Sequence, residues 1–269
     1  LSRFSRSVLS ILLFITTVLV TCSIDAAGLY LALPSYFPVI DTSRVVIRMS
    51  QSELERDAGR AGILYGELGV RVGTRSRLRA GILYPAVQSE AAVTHTVGDG
   101  LVNWTTRIAG DTLDLSGLFF RVDARLPIGP GTMHPFSFGS FDGGAGLELR
   151  GGTALFDLRC SAAFTLVGKR RKTGDILHRN YTLLGLSMEF PMPGKTSVNV
   201  EGFGIMFNGG GTREIYLVNV RHGLSDELEL LISGGLEAGS DEERVFNSIV
   251  SAVFIYRFAR SGPEGDIGE

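Results

Sequence analysis

Charged side chains recur along this chain at alternate positions, with apolar or small residues between them. Arg77 and Arg79 are two apart, as are Glu148 and Arg150, Asp157 and Arg159, and Glu227 and Glu229; Arg121, Asp123 and Arg125 make a run of three. Glu67, Arg71, Glu189, Glu201 and Arg221 stand in the same alternating context. The set holds eight arginines and eight carboxylates. Guanidinium and carboxylate groups at this spacing can pair across neighbouring strands through charge-assisted hydrogen bonds. They can also form a charge-balanced lining, whereas a strongly ion-selective pore would carry rings of one sign.

Other chemistries find less support. Nucleophilic catalysis needs a hydroxyl or thiol held near a base. His178-Arg179-Asn180 is only a faint echo of the constellation in barrel-embedded lipid hydrolases, so the chain reads as a non-enzyme. His95, His134, His178 and His222 each lack a second ligand at a metal spacing, so neither a metal nor another cofactor is expected. Removal of an N-terminal leader would leave Cys160 as the one thiol, which excludes an internal disulfide framework.

The elements that place these charges are strands. From about Arg44 onward, segments of roughly ten residues alternate with period two between Gly-, Pro-, Asn- and Asp-rich turns. Leu118, Phe120, Val122, Ala124 and Leu126 share one face, and Phe119, Arg121, Asp123 and Arg125 the other. Twelve strands are expected, over residues 44–53, 62–73, 77–87, 101–109, 115–127, 145–150, 153–167, 179–190, 196–207, 213–222, 227–237 and 246–258. Connections at Thr74-Arg75-Ser76, Gly110-Asp111-Thr112, Gly151-Gly152, Pro191–Lys195 and Leu224-Ser225-Asp226 are short, and those between are mostly longer and more polar. Short turns on one rim and long loops on the other are the rhythm of an antiparallel up-and-down transmembrane β-barrel, its apolar face toward outer-membrane lipid. The charges would then line the interior, where Tyr65, Phe119, Phe203 and Phe207 add bulk.

Composition agrees with an exported barrel. The chain has 269 residues, 26 Lys+Arg against 28 Asp+Glu, and 35 Gly; mean hydropathy is +0.20. That near-neutral balance argues against nucleic acid as a partner, and abundant apolar residues without a Gly-X-Y period exclude disorder and collagen. Arg3 and Arg6, the apolar run Val8–Val20 and the small residues Cys22, Ser23, Ala26 and Ala27 have the order of a signal peptide. Residues 1–26 are assigned to it, with a retained anchor or a lipoprotein box at Leu19–Cys22 as alternatives. Residues 27–43 then lead in, 44–258 form the barrel, and 259–269 make a disordered periplasmic tail.

The last strand ends Val-Phe-Ile-Tyr-Arg-Phe with Phe254, Tyr256 and Phe258 on one face. It resembles the aromatic-terminated strand read by the outer-membrane barrel-assembly machinery, although eleven residues follow it. Glu67–Gly73 with Arg77–Pro85, then Phe164–Gly168, Tyr181–Pro191, Val200-Glu201-Gly202 and Val220–Leu230 carry a wider likeness. This stretch resembles the outer-membrane barrel family named after the MetA pathway of phenol degradation, also described as outer-membrane transporters. The resemblance implies a passive channel for small, including hydrophobic, solutes, and transfers no catalytic residue. A docking barrel with an occluded interior is the rival reading, and a membrane-embedded acyl hydrolase a more distant one.

Overall fold

The computed structural model describes residues 43–54, 60–88, 93–110, 116–129, 139–168, 171–173, 176–178, 180–239 and 246–258. The leader, nearly all of the lead-in and the tail lie outside them. The strands are β1 (Ser43–Leu54), β2 (Arg60–Val72), β3 (Ser76–Gln88), β4 (Val93–His95), β5 (Gly100–Ala109), β6 (Gly117–Leu126), β7 (Asp142–Gly152) and β8 (Asp157–Val167). They continue with β9 (Arg171–Thr173), β10 (Ile176–His178), β11 (Tyr181–Met192), β12 (Thr196–Phe207), β13 (Thr212–Gly223), β14 (Leu228–Gly239) and β15 (Phe246–Phe258). Each long strand pairs antiparallel with its predecessor among the long strands, and β15 pairs with β1 from Ser43–Phe258 to Leu54–Phe246. Twelve strands thus close into a barrel. The short β4 folds back on the end of β3, and β9 with β10 makes a separate hairpin.

Alternation decides which face turns inward. Val46, Ile63, Leu83, Ile215 and Val253 are buried within the wall, whereas Ile47, Leu64, Leu78, Leu149, Leu186, Val218 and Tyr256 lie on the exposed outer face. Among the outer-face residues whose side chains the structure describes, the one Asp, Glu, Lys or Arg is Glu214, near the start of β13. No helix is long and apolar enough to cross a membrane, and the continuous apolar exterior is that of a strand-built span. The wall is also tilted. The row of partners Arg44, Gly69, Arg79, Asn103, Asp123, Gly144, Thr165, Tyr181 and Phe207 starts at the beginning of β1 and reaches the end of β12.

The rim that carries the first and last ends of the wall has tight turns. Gly194 and Lys195, with φ of 79° and 62°, join β11 to β12, a conformation glycine adopts without penalty and lysine does not. Between β7 and β8 the expected turn at Gly151-Gly152 lies further on, at Thr153–Phe156. There the Thr153 hydroxyl accepts from the amides of Leu155 (3.2 Å) and Phe156 (3.3 Å), and both glycines stay in β7. β7 also starts at Asp142, earlier than the expected Ala145, because Asp142 pairs with Arg125 and Val167. On the opposite rim the connections 89–99 and 168–180 carry β4 and the β9–β10 hairpin, but 208–211 is short and closed by a Gly210 N–H to Phe207 carbonyl bond.

Gly146, mid-strand in β7, has no room for a side chain. A Cβ there would stand 2.6 Å from both the Ala162 carbonyl oxygen and the Ala163 Cβ. Gly146→Val is expected to destabilise the barrel by about 1–3 kcal/mol. Urea unfolding from lipid vesicles measures this, and a wild-type midpoint would show that β7 and β8 separate without penalty.

Candidate functional site

Placed side by side by the strand registers, the inner-face charges form connected groups. In the first, β2 presents buried Glu67, with Tyr65 two residues before it on the same face. The Tyr65 hydroxyl donates to Glu67 Oε2 at 2.9 Å. Arg44 of β1 reaches Glu67 Oε1 at 3.7 Å, and Arg79 of β3 reaches Oε2 at 4.0 Å. Arg79 also donates through Nε and Nη2 to Asn103 Oδ1, at 2.9 and 2.6 Å. Asn103 Nδ2 donates to Asp123 Oδ1 at 2.6 Å, and Arg121 Nε to Asp123 Oδ2 at 2.6 Å. The relay therefore crosses β2, β3, β5 and β6 with each carboxylate answered by a donor. Beside it, Gly69 leaves room for Arg77, whose Nη2 a Cβ there would meet at 2.8 Å.

The second group surrounds Glu148 of β7, which is 2% exposed. Arg150 donates its Nε to Glu148, and Arg159 of β8 lies 3.3 Å from the same oxygen. Arg150 also lies over the Phe119 ring, 4.4 Å from its centroid, while Arg107 lies 5.2 Å from it. Phe119 is fully buried with two guanidiniums on it, a desolvated cation–π arrangement. Nearer the other rim, Arg125 meets Asp142 at 3.4 Å.

The remaining wall is milder. Asn199 of β12 accepts from the Ser187 hydroxyl at 2.8 Å and donates to Glu201 at 2.8 Å. Arg221 donates to Glu189 at 2.9 Å, Ser197 donates to the same carboxylate at 2.6 Å, and Arg257 meets Glu229 at 2.5 Å. Arg213 pairs with Glu237. Between Arg213–Glu237 and the groups nearer the turn rim, Leu183, Phe203, Ile205, Ile215 and Leu217 are buried inside the wall.

Of the expected lining residues, Glu67, Arg77, Arg79, Arg121, Arg125, Glu148, Arg159 and Glu201 are buried, and Asp123, Arg150, Glu189, Arg221 and Glu229 are half-buried. Three differ. Arg71 donates to the carbonyl of its own turn residue Gly73 at 2.9 Å. Asp157 is exposed as the first residue of β8, and Glu227 is exposed in the turn before β14, accepting from the Ser225 hydroxyl. Alternation carries a face only as far as the ladder does, and these positions lie at its ends. The structure adds Arg44, Arg48, Arg107, Arg213, Arg257, Asp142 and Glu237.

The count is then no longer even. Leaving aside the strand-end residues Arg71 and Asp157, the inner strand faces of the described residues in β1 to β8 carry nine arginines (Arg44, Arg48, Arg77, Arg79, Arg107, Arg121, Arg125, Arg150 and Arg159) against Glu67, Asp123, Asp142 and Glu148. The strands β11 to β15 carry Arg213, Arg221 and Arg257 against Glu189, Glu201, Glu229 and Glu237. One half of the interior is strongly cationic, and the other is close to neutral.

A hydroxyl–imidazole contact also emerges: Thr196 Oγ1 and His222 Nδ1 are 2.9 Å apart at the turn rim. They are register partners, so strand pairing alone explains their contact. Among the described residues no cluster of His, Cys, Asp and Glu could hold a metal ion. Cys160 is a free, half-buried thiol on the outer face. Phe254, Tyr256 and Phe258 occupy the outer face of β15, all exposed.

No family model and no curated protein matches this chain, so the MetA-pathway resemblance rests on the short motifs quoted above. Solved structures do match. An outer-membrane channel from Pseudomonas putida F1 superposes with a TM-score of 0.61 at 11% identity, over 82% of this chain and 97% of that one. The KdgM porin, solved in complex with disordered oligogalacturonate, gives 0.55 at 10% identity, over 80% and 99%. The translocator domain of the autotransporter NalP from Neisseria meningitidis gives 0.50 at 12% identity, over 86% and 94%. The shared property is the closed outer-membrane type of barrel, which serves porins and a translocator alike, so function is argued from the interior.

Proposed function

We propose that the chain is an outer-membrane channel through which small solutes pass passively. The observation that carries this reading is the division of one wall into a predominantly apolar exterior and an interior holding, among the described residues counted above, twelve arginines and eight carboxylates. Lipid accounts for the first face. The second is far more charged than bracing requires, since a packed apolar interior would avoid the desolvation of each ion pair. Export by the N-terminal segment and assembly through the β15 aromatics belong to the same proposal. Wholly hydrocarbon solutes fit such an interior poorly, because burying its charges against them would remove solvation without replacing it.

Planar-bilayer conductance of the refolded chain tests the reading, with heat-modifiable gel migration as the control for a folded barrel. Steady single-channel steps are expected. Silence from verified, inserted protein would sink the channel and favour a closed docking barrel. Recovery of the native protein in the soluble periplasmic fraction would remove the membrane assignment altogether.

A further inference from the structure

We infer that the solutes this channel favours are small amphipathic anions, carboxylates with an aromatic or aliphatic body; the inference rests on the channel reading above. Two features lie at different depths of the same interior. Toward the turn rim, Arg44 and Arg77 open their strands and Arg107 and Arg150 close theirs. They stand on β1, β3, β5 and β7, within one run of neighbouring strands, with Phe119 of β6 between Arg107 and Arg150. Toward the other rim, Leu83 lies in the later part of β3, Leu183 opens β11, Phe203 and Ile205 close β12 and Ile215 opens β13. All five are 4% exposed or less.

A solute crossing the barrel therefore meets an apolar collar on one side of the midplane and an arginine-rich belt on the other. An excess of fixed positive charge in a low-dielectric enclosure raises the local concentration of anions and excludes cations. The collar adds a second requirement. Hydroxyl-rich solutes would lose hydrogen bonds against leucine, isoleucine and phenylalanine, whereas an aryl or alkyl group would not. The guanidiniums then offer planar donors to a carboxylate, and Phe119 shows that guanidinium–aromatic stacking is already built into the belt. Collar and belt side chains are almost wholly enclosed, so a solute passes only as they give way to it rather than through a wide aqueous core, and its shape and charge are both read.

The full chain is reconstituted in planar bilayers under a potassium chloride gradient, and chloride is then replaced by benzoate, hexanoate or gluconate. The expected reversal potential is that of an anion-selective pore, with benzoate and hexanoate more permeant than gluconate. Arg77→Gln/Arg107→Gln should bring the chloride-to-potassium permeability ratio toward unity, and Leu83→Gln should erode the preference for benzoate over gluconate. Cation selectivity, or equal permeation by gluconate and benzoate, would overturn this inference while leaving a channel. An absence of conductance from inserted barrel would overturn the channel reading, and this inference with it. The wild-type anion series decides the matter even if a variant fails to fold.

Discussion

Replacing Glu148 with alanine is expected to destabilise the barrel by about 3–5 kcal/mol, the range for removing one partner from a buried ion pair. Glu148 is 2% exposed and answers both Arg150 and Arg159. Its removal would leave two guanidiniums sharing an enclosed space with no carboxylate between them. Urea unfolding from lipid vesicles reads the loss through Trp104, the single tryptophan, which is exposed on the outer face. Arg150→Met should cost less, because it leaves Arg159 to answer the carboxylate. The double variant should cost clearly less than the two single losses added together, since the penalty is that of an orphaned charge rather than of a missing contact. Strict additivity would show that water already screens this group, and an unchanged midpoint in Glu148→Ala would remove its bracing role.

The second large effect belongs to the opposite face. Leu186, near the middle of β11 and 50% exposed, should tolerate no charge. Leu186→Arg is expected to cost about 2–4 kcal/mol if that face meets the bilayer midplane, and Glu214→Arg, near the start of β13, only about 0–1 kcal/mol. The comparison is sharper than either value alone. In water an arginine replacing the exposed Leu186 or the exposed Glu214 would be nearly neutral in either place. Equal unfolding midpoints for the two variants in vesicles would therefore sink the membrane orientation of the wall.

The alternation that places Leu186 outside and Ser187 inside was legible in the residues, because a period of two needs no tertiary information. All twelve wall strands follow from it, most within two residues at each end. What blurred the reading was chemistry that period-two hydropathy does not register. Gly143-Gly144 looks like a loop because glycine favours turns, yet Asp142 draws both into β7 by pairing across to Arg125. Gly151-Gly152 reads as a turn for the same reason, but the Thr153 hydroxyl supplies a better one. Arg44 and Arg48 share a face with Val46, so the inner side of β1 reads as half apolar and its charges escape notice. Asn103 and Asn199 are central to the polar groups and carry no charge to announce them. They could have been found as amides on the same faces as Arg107 and Glu201, respectively. The imbalance of charge was invisible for a related reason: it belongs to one half of the circumference, and only strand order says which residues share that half.

The seam between β1 and β15 joins the two most distant parts of the wall, with Ser43 opposite Phe258. Every other wall pairing joins neighbours along the chain and can form as a hairpin, whereas this one closes a loop of the whole barrel and carries the largest entropic penalty of all the pairings. It is therefore expected to form last. Until it does, the growing sheet has two unpaired edges, each a template for a strand from another molecule. The waiting time for those two edges to meet, rather than the strength of any hairpin, then sets how much of this chain is lost to intermolecular pairing, and whatever assists its assembly must cover both edges at once.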